Sequence, residues 1–97
     1  MIRWAKKSEI NEIKKIVDSV EEMDIINETF SQKYYQRIIK KGILLVAEED
    51  NKIVGVCFGT YNIKEKWADL LGLVVILQFR NRGIGSSLIK EFSLLNR

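Results

Sequence analysis

The residues best suited to chemistry in this 97-residue chain lie close together near its end, in the stretch QFRNRGIGSSLI, residues 78 to 89. Gly83 and Gly85 stand one residue apart, Arg80 and Arg82 precede them, and Ile84, Leu88, Phe92 and Leu95 recur afterwards at helical spacing. A glycine-marked loop that runs into a helix N-terminus is a physical device for holding phosphate. The first turn of a helix leaves N–H groups without intrahelical partners, and the aligned peptide dipoles put partial positive charge at the same end. Glycines give an anion access without a Cβ in its way, and guanidinium groups match phosphate oxygens in forked fashion. Two phosphate-loop patterns are absent: G-x-G-x-x-G, counted from Gly83, meets Leu88 at its sixth position, and G-x-x-x-x-G-K-S/T does not occur. On local features the loop therefore reads either as an anion site or as a strand-to-helix turn with solvated arginines.

The elements that position this corner are legible in outline. Residues 2 to 5 (IRWA) read as a short strand, and residues 8 to 20 as an amphipathic helix capped by Ser8, with Ile10, Ile13, Val17 and Val20 on one face. Residues 21 to 30 carry no sustained period and read as an irregular connection. A second helix spans residues 31 to 41, with Ser31 as cap, Tyr34, Tyr35, Ile38 and Ile39 on its apolar side, and Gly42 placed to end it. Residues 43 to 49 and 52 to 62 flank Asp50 and Asn51 and read as a β-hairpin. The continuous apolar run of residues 67 to 77 reads as a central, well-buried strand leading into the loop and the last helix. The order βααβββα predicts an α+β fold, an α/β sandwich on a mostly antiparallel sheet. It forms one domain over residues 1–97, without repeats or low-complexity segments.

Absences exclude other chemistry. The chain has no histidine and one cysteine, so Ser-His-Asp and Cys-His systems, multi-cysteine zinc sites and intrachain disulfides are excluded, and no metal site is expected. Cys57 sits in the apolar run IVGVCFGT and reads as a small core residue, with nothing beside it to lower its pKa. No apolar run approaches the ~20 residues of a membrane span, and MIRWAKKSEI has no signal-peptide core; the expected location is cytoplasmic. The net charge of +3 arises after residue 49, where seven basic side chains face four acidic ones, against nine and nine before it. That distribution favours an anionic ligand at the corner over a nucleic-acid surface, because no basic stripe interleaved with aromatics is present.

Arg80-Asn81-Arg82-Gly83-Ile84-Gly85-Ser86 closely resembles the R/Q-x-x-G-x-G/A signature of the GCN5-related N-acetyltransferases, the GNAT superfamily. The preceding LVVIL, residues 73 to 77, is similar to that family's L-x-V-x-P strand end, and Gln78-Phe79 to its polar-aromatic pair. The resemblance implies acetyl-CoA as acyl donor. The amides of Asn81, Arg82, Gly83, Ile84, Gly85 and Ser86, with Arg80 beside them, would hold its pyrophosphate, while the backbone of Leu73, Val74 and Val75 would pair with the pantetheine arm. It also implies direct attack of an acceptor amine, on a small molecule, a protein N-terminus or a lysine, within a ternary complex. The alternative is a non-catalytic acyl-CoA-binding or protein-interaction module.

The family pattern is not complete. Leu77 stands where the family's proline is usual, and residues 1–97 are expected to lack the strands and helix that normally follow. No residue inherits the role of general acid, since Tyr34, Tyr35 and Tyr61 read as packing residues with solvated hydroxyls. No base is assigned either: Glu65 and Asp69 are candidates by position but sit among lysines as a solvated charge cluster. The acidic connection Glu21 to Phe30, with Asp18 nearby, borders the acceptor site by resemblance and otherwise reads as a solvated surface loop. Residues 67 to 77, carrying neither lysine nor proline in LLGLVVIL, are expected to leave a free edge on which a second copy pairs, giving a homodimer.

Overall fold

Alternation along the third strand organises the molecule. In a computed structural model of the chain, residues 1–19, 32–62 and 64–95 are described. β1 (Ile2–Trp4), β2 (Gly42–Glu49), β3 (Lys52–Asn62) and β4 (Trp67–Val75) form one antiparallel sheet in the order β1-β2-β3-β4. Val56 and Phe58 of β3 face one layer, built by α1 (Ile10–Asp18) and α2 (Gln32–Lys41). Val54 and Cys57 face the other, built by α3 (Ile84–Leu94). The sheet is thus buried on both faces, and the expected α+β class and element order hold.

The hairpin turn is set by two residues that tolerate left-handed backbone: Asp50 and Asn51 have φ of 51° and 63° between the paired Glu49 and Lys52. Two slips interrupt the register. Ala47 opposes Gly55 while Glu48 opposes Ile53, which leaves Val54 as an extra residue on β3. Phe58 opposes Gly72 while Gly59 opposes Leu70, which leaves Leu71 extra on β4. Such bulges bend a strand and re-aim the side chains beyond them. Beside the second one a Cβ on Gly72 would strike the Phe58 ring, and one on Gly59 would strike the Asp69 carbonyl and the Phe92 ring.

Three sequence expectations need correction. Ser8 does not cap α1, because residues 7 to 9 form a 3-10 turn and the Lys6 N–H donates to Glu9 Oε1 at 2.8 Å. The Glu9 carboxylate is available there because Arg3 holds it in a two-pronged contact, 2.9 Å from Nη1 to Oε1 and 2.7 Å from Nη2 to Oε2, while Arg3 Nε donates to Glu48 at 2.8 Å. The strand expected over residues 67 to 77 ends at Val75, where a 3-10 turn, Leu77–Phe79, takes over. Nor is it central or well buried: among the described strands β4 lies at the edge of the sheet, and Leu70 and Leu71 are exposed. An apolar run fits an edge as well as a centre when its outward residues are simply left uncovered. Val20, Ser31 and the connection 21 to 30 lie outside the described residues. Among the described residues no helix is long and apolar enough to cross a membrane.

Candidate functional site

The corner after β4 is built by a strand end, a 3-10 turn and a helix start in immediate succession. Ile76 donates its N–H to Val54 O at 2.9 Å, and Val74 lies opposite Val56. Hydrogen bonding along an antiparallel strand alternates in direction, so Leu73 and Val75 turn their backbone groups to the outer edge, where no described strand lies. The 3-10 turn then reverses the chain, with Phe79 N–H bonded to Ile76 O at 2.9 Å and Arg80 N–H to Leu77 O at 3.2 Å. Arg80 closes the corner a second time, donating from Nε to Val75 O at 3.0 Å.

The loop backbone is unusual at two places. Asn81 and Gly83 have φ of 65° and 82°, left-handed values on either side of Arg82. Alternating hands turn successive N–H groups toward one side, the arrangement of an anion-binding nest. The first helical hydrogen bond of α3 runs from Ser87 N–H to Gly83 O at 3.0 Å. The N–H groups of Ile84, Gly85 and Ser86 therefore precede the intrahelical ladder and point off the end of the helix. No acidic residue lies in the first turn. Around Gly83 no heavy atom lies within 4 Å of where a Cβ would stand, and a Cβ on Gly85 would meet only Val75 and Leu73 side chains at 3.7 and 3.8 Å. The corner is thus a cradle with its floor on β4 and its donors on α3.

A cleft of about 420 Å³ lies over this cradle. Of the ten residues singled out from sequence, Leu73, Val74, Val75, Arg80, Asn81, Gly83, Ile84, Gly85 and Ser86 all line it. Arg82 does not. Its guanidinium carbon sits 5.0 Å from the Phe79 ring centroid, a cation–π contact, and Arg82 lines a neighbouring cavity of about 380 Å³ with Glu49 and Glu91. Phe79, absent from the ten, lines the main cleft and carries Arg82 on its ring. Its signal in the sequence is its place next to Arg80. The Leu71 bulge has none, since a register slip depends on the partner strand.

The remaining candidates lie elsewhere. Glu65 and Asp69 are exposed, and the Glu65 N–H is held in a turn by Asn62 Oδ1 at 3.0 Å. Asp69 is six positions before Val75 on β4, about 20 Å at the strand rise, so neither carboxylate joins the phosphate end of the cleft. Tyr34 and Tyr35 are not solvated as expected. Their hydroxyls are buried, and their rings pack edge-to-face with Phe58 at 6.1 and 5.7 Å between centroids. Burial pushes both phenols above their ordinary pKa. Burial also pushes the Cys57 thiol up to about 11, which keeps it protonated and unreactive. Among the described residues no group of three or more His, Cys, Asp or Glu could hold a metal ion.

Residues 40–97 match the family described as the acetyltransferase (GNAT) domain. Among solved structures the chain is similar to a ribosomal-protein-alanine N-acetyltransferase from Brucella melitensis, with TM-score 0.76, 21% identity, and 100% of this chain and 67% of that one covered. It is also similar to the PaiA N-acetyltransferase from Thermoplasma acidophilum in complex with coenzyme A (0.81, 18%, 99% and 70%). A GNAT family acetyltransferase from Brucella melitensis in complex with acetyl-CoA gives 0.78, 20%, 98% and 67%. The chain thus spans about two thirds of the length of these structures. No curated protein matches it.

Proposed function

The chain belongs to the GNAT acetyltransferase family, and from that premise we propose that its cleft binds acetyl-CoA for transfer of the acetyl group to an amine. The observation that carries the reading is the cradle itself: helix-start N–H groups beside two left-handed residues, open space at Gly83, and an outward-facing strand edge leading away from it. The pyrophosphate belongs on the amides of residues 81 to 86, where three N–H groups and the helix dipole meet. The β4 edge at Leu73 and Val75 offers alternating donors and acceptors to an extended amide-bearing arm, as a sheet edge does to an added strand. Bound there, acetyl-CoA supplies an activated thioester, whose carbonyl carbon the acceptor amine attacks while the thiol leaves.

Arg80 in this reading serves geometry as much as charge. By holding Val75 O it joins the strand end to the loop, so both halves of the cradle keep their spacing before a ligand arrives. We also propose that residues 1–97 act as one domain in the cytoplasm. A second copy pairs along the first part of β4, beside exposed Leu70 and Leu71, and leaves the edge at Leu73 and Val75 to the arm.

The test is thermal. A ligand that prefers the native state stabilises it by about 2.7 kcal/mol at one hundred times its Kd. For a chain of this length that raises the Tm by about 13 °C. Acetyl-CoA is expected to do so, and Gly83→Asp to abolish the response, since it places negative charge in the cradle. Asp tolerates left-handed backbone better than most residues, so the variant is expected to remain folded, as circular dichroism will show. An unchanged response in folded Gly83→Asp refutes the loop assignment. Acetyl transfer to a panel of amines then separates an enzyme from a module that only binds.

A further inference from the structure

The outer face of α2 carries Lys33, Arg37, Lys40 and Lys41, all exposed, together with exposed Gln36, and these five line a shallow groove of about 270 Å³. We propose that this face is a docking surface for an acidic peptide segment of another protein.

Helix stability does not account for the arrangement. Lys40 and Lys41 suit the negative end of the helix dipole, but Lys33 stands in the first turn, where no acidic residue among the described ones offsets it and the dipole disfavours a cation. Lys33 and Arg37, and Arg37 and Lys41, are like charges four apart on one face, a spacing at which they repel. None of the four forms an ion pair with another described residue. A row of carboxylates relieves this repulsion in a way that water does only in part.

The chemistry of the partner is set by what the face lacks. The apolar side of α2 is already spent: Tyr35 and Ile38 are buried against the sheet, and none of the exposed large apolar side chains among the described residues is on α2. Insertion into a bilayer therefore has no apolar anchor. The aromatic rings of α2 are turned into that core as well, which leaves nothing on which a nucleobase stacks. The row from Lys33 to Lys41 is about 12 Å long at the helical rise, which about four residues of an extended peptide cover. It lies on the layer opposite α3, so its occupant is separate from that of the cleft.

Fluorescence anisotropy with a labelled oligoglutamate spanning the row tests this on the whole chain. Binding is expected at low ionic strength and is expected to weaken as salt is added. Arg37→Glu combined with Lys40→Glu should weaken it by about tenfold or more, as reversed charges at a complementary surface do. Lys64→Glu combined with Lys90→Glu makes the same change in net charge elsewhere and should cost less than about twofold. Both double variants are exposed, and an unchanged melting curve certifies that they are folded. Saturating acetyl-CoA should leave oligoglutamate binding unchanged. The proposal is overturned if oligoglutamate does not bind, if the two double variants weaken it equally, or if acetyl-CoA displaces it. Tighter binding of an oligouridylate of equal charge, or of vesicles rich in anionic lipid, overturns it too.

Discussion

Replacing Gly83 with alanine isolates one physical term. The residue has φ of 82°, and nothing lies within 4 Å of the position a Cβ would take, so alanine meets no steric obstacle from its surroundings. What it meets is its own backbone: an L-residue held in the left-handed region costs about 1 to 2 kcal/mol. Unfolding entropy is about 2.1 cal/mol/K per residue, or ~0.2 kcal/mol/K for a chain of this length. Gly83→Ala is therefore expected to lower the Tm by about 5 to 10 °C. Asparagine visits the same region far more readily, so Gly83→Asn, though larger, should recover at least half of the loss. Thermal melts without ligand, followed by circular dichroism at 222 nm (the helix band) and repeated by urea denaturation, measure all three proteins on one scale. If Gly83→Asn is as unstable as Gly83→Ala, or worse, the limit at this position is space rather than dihedral angle, and the open cradle is wrong.

Other perturbations probe the framework around the site. Gly59→Ala puts a methyl against the Asp69 carbonyl and the Phe92 ring, neither of which is the loose end of a flexible chain; it is expected to cost about 3 kcal/mol or more, read by urea denaturation. Arg3 holds the Glu9 carboxyl down to about 2 from an ordinary 4.5, chiefly through their hydrogen bonds. A depressed carboxylate stabilises the fold above its unfolded pKa, so this contribution is full above pH 4.5 and is lost as the pH falls toward 2. After allowance for solvent at a partly exposed pair it amounts to about 1 to 2 kcal/mol. Glu9→Gln should flatten that part of the stability profile, and an unaltered profile would show the pair to be idle. Cys57, buried and with its thiol pushed up to about 11, should react with iodoacetamide only as the chain unfolds, so mass spectrometry should find native protein unlabelled at mildly alkaline pH.

The parts of the molecule that a single segment encodes are the parts the sequence makes readable. The loop and its helix are legible because glycines, arginines and a helical period occur consecutively between residues 80 and 95. The Asp50-Asn51 reversal is legible because both residues accept left-handed backbone. Features that depend on a second segment are not. Val54 and Leu71 are extra residues only relative to the opposing strand, so counting in twos along β3 or β4 cannot find either slip. The position of β4 at the edge depends on what pairs with it, and its run of apolar residues reads the same whether or not a neighbour covers them. The start of α1 turns on Arg3, which commits the Glu9 carboxylate to the place where the sequence suggests a Ser8 cap. That the Arg82 side chain rests on the Phe79 ring is likewise a contact between side chains three positions apart, which the loop pattern alone does not announce.

The sheet divides the apolar interior into two compartments that share strands but few side-chain neighbours: Ile13, Tyr35 and Phe58 on one side, Cys57, Leu88 and Phe92 on the other. Substitutions without common neighbours combine additively. The compartment under α3, which sets the angle at which the helix start meets the strand end, can thus remain unaltered while residues under α1 and α2 are exchanged, and the reverse holds too. For a lineage this means that drift in one compartment imposes no compensating change in the other. A loop geometry can be inherited intact by descendants whose opposite layer has been rebuilt almost residue by residue.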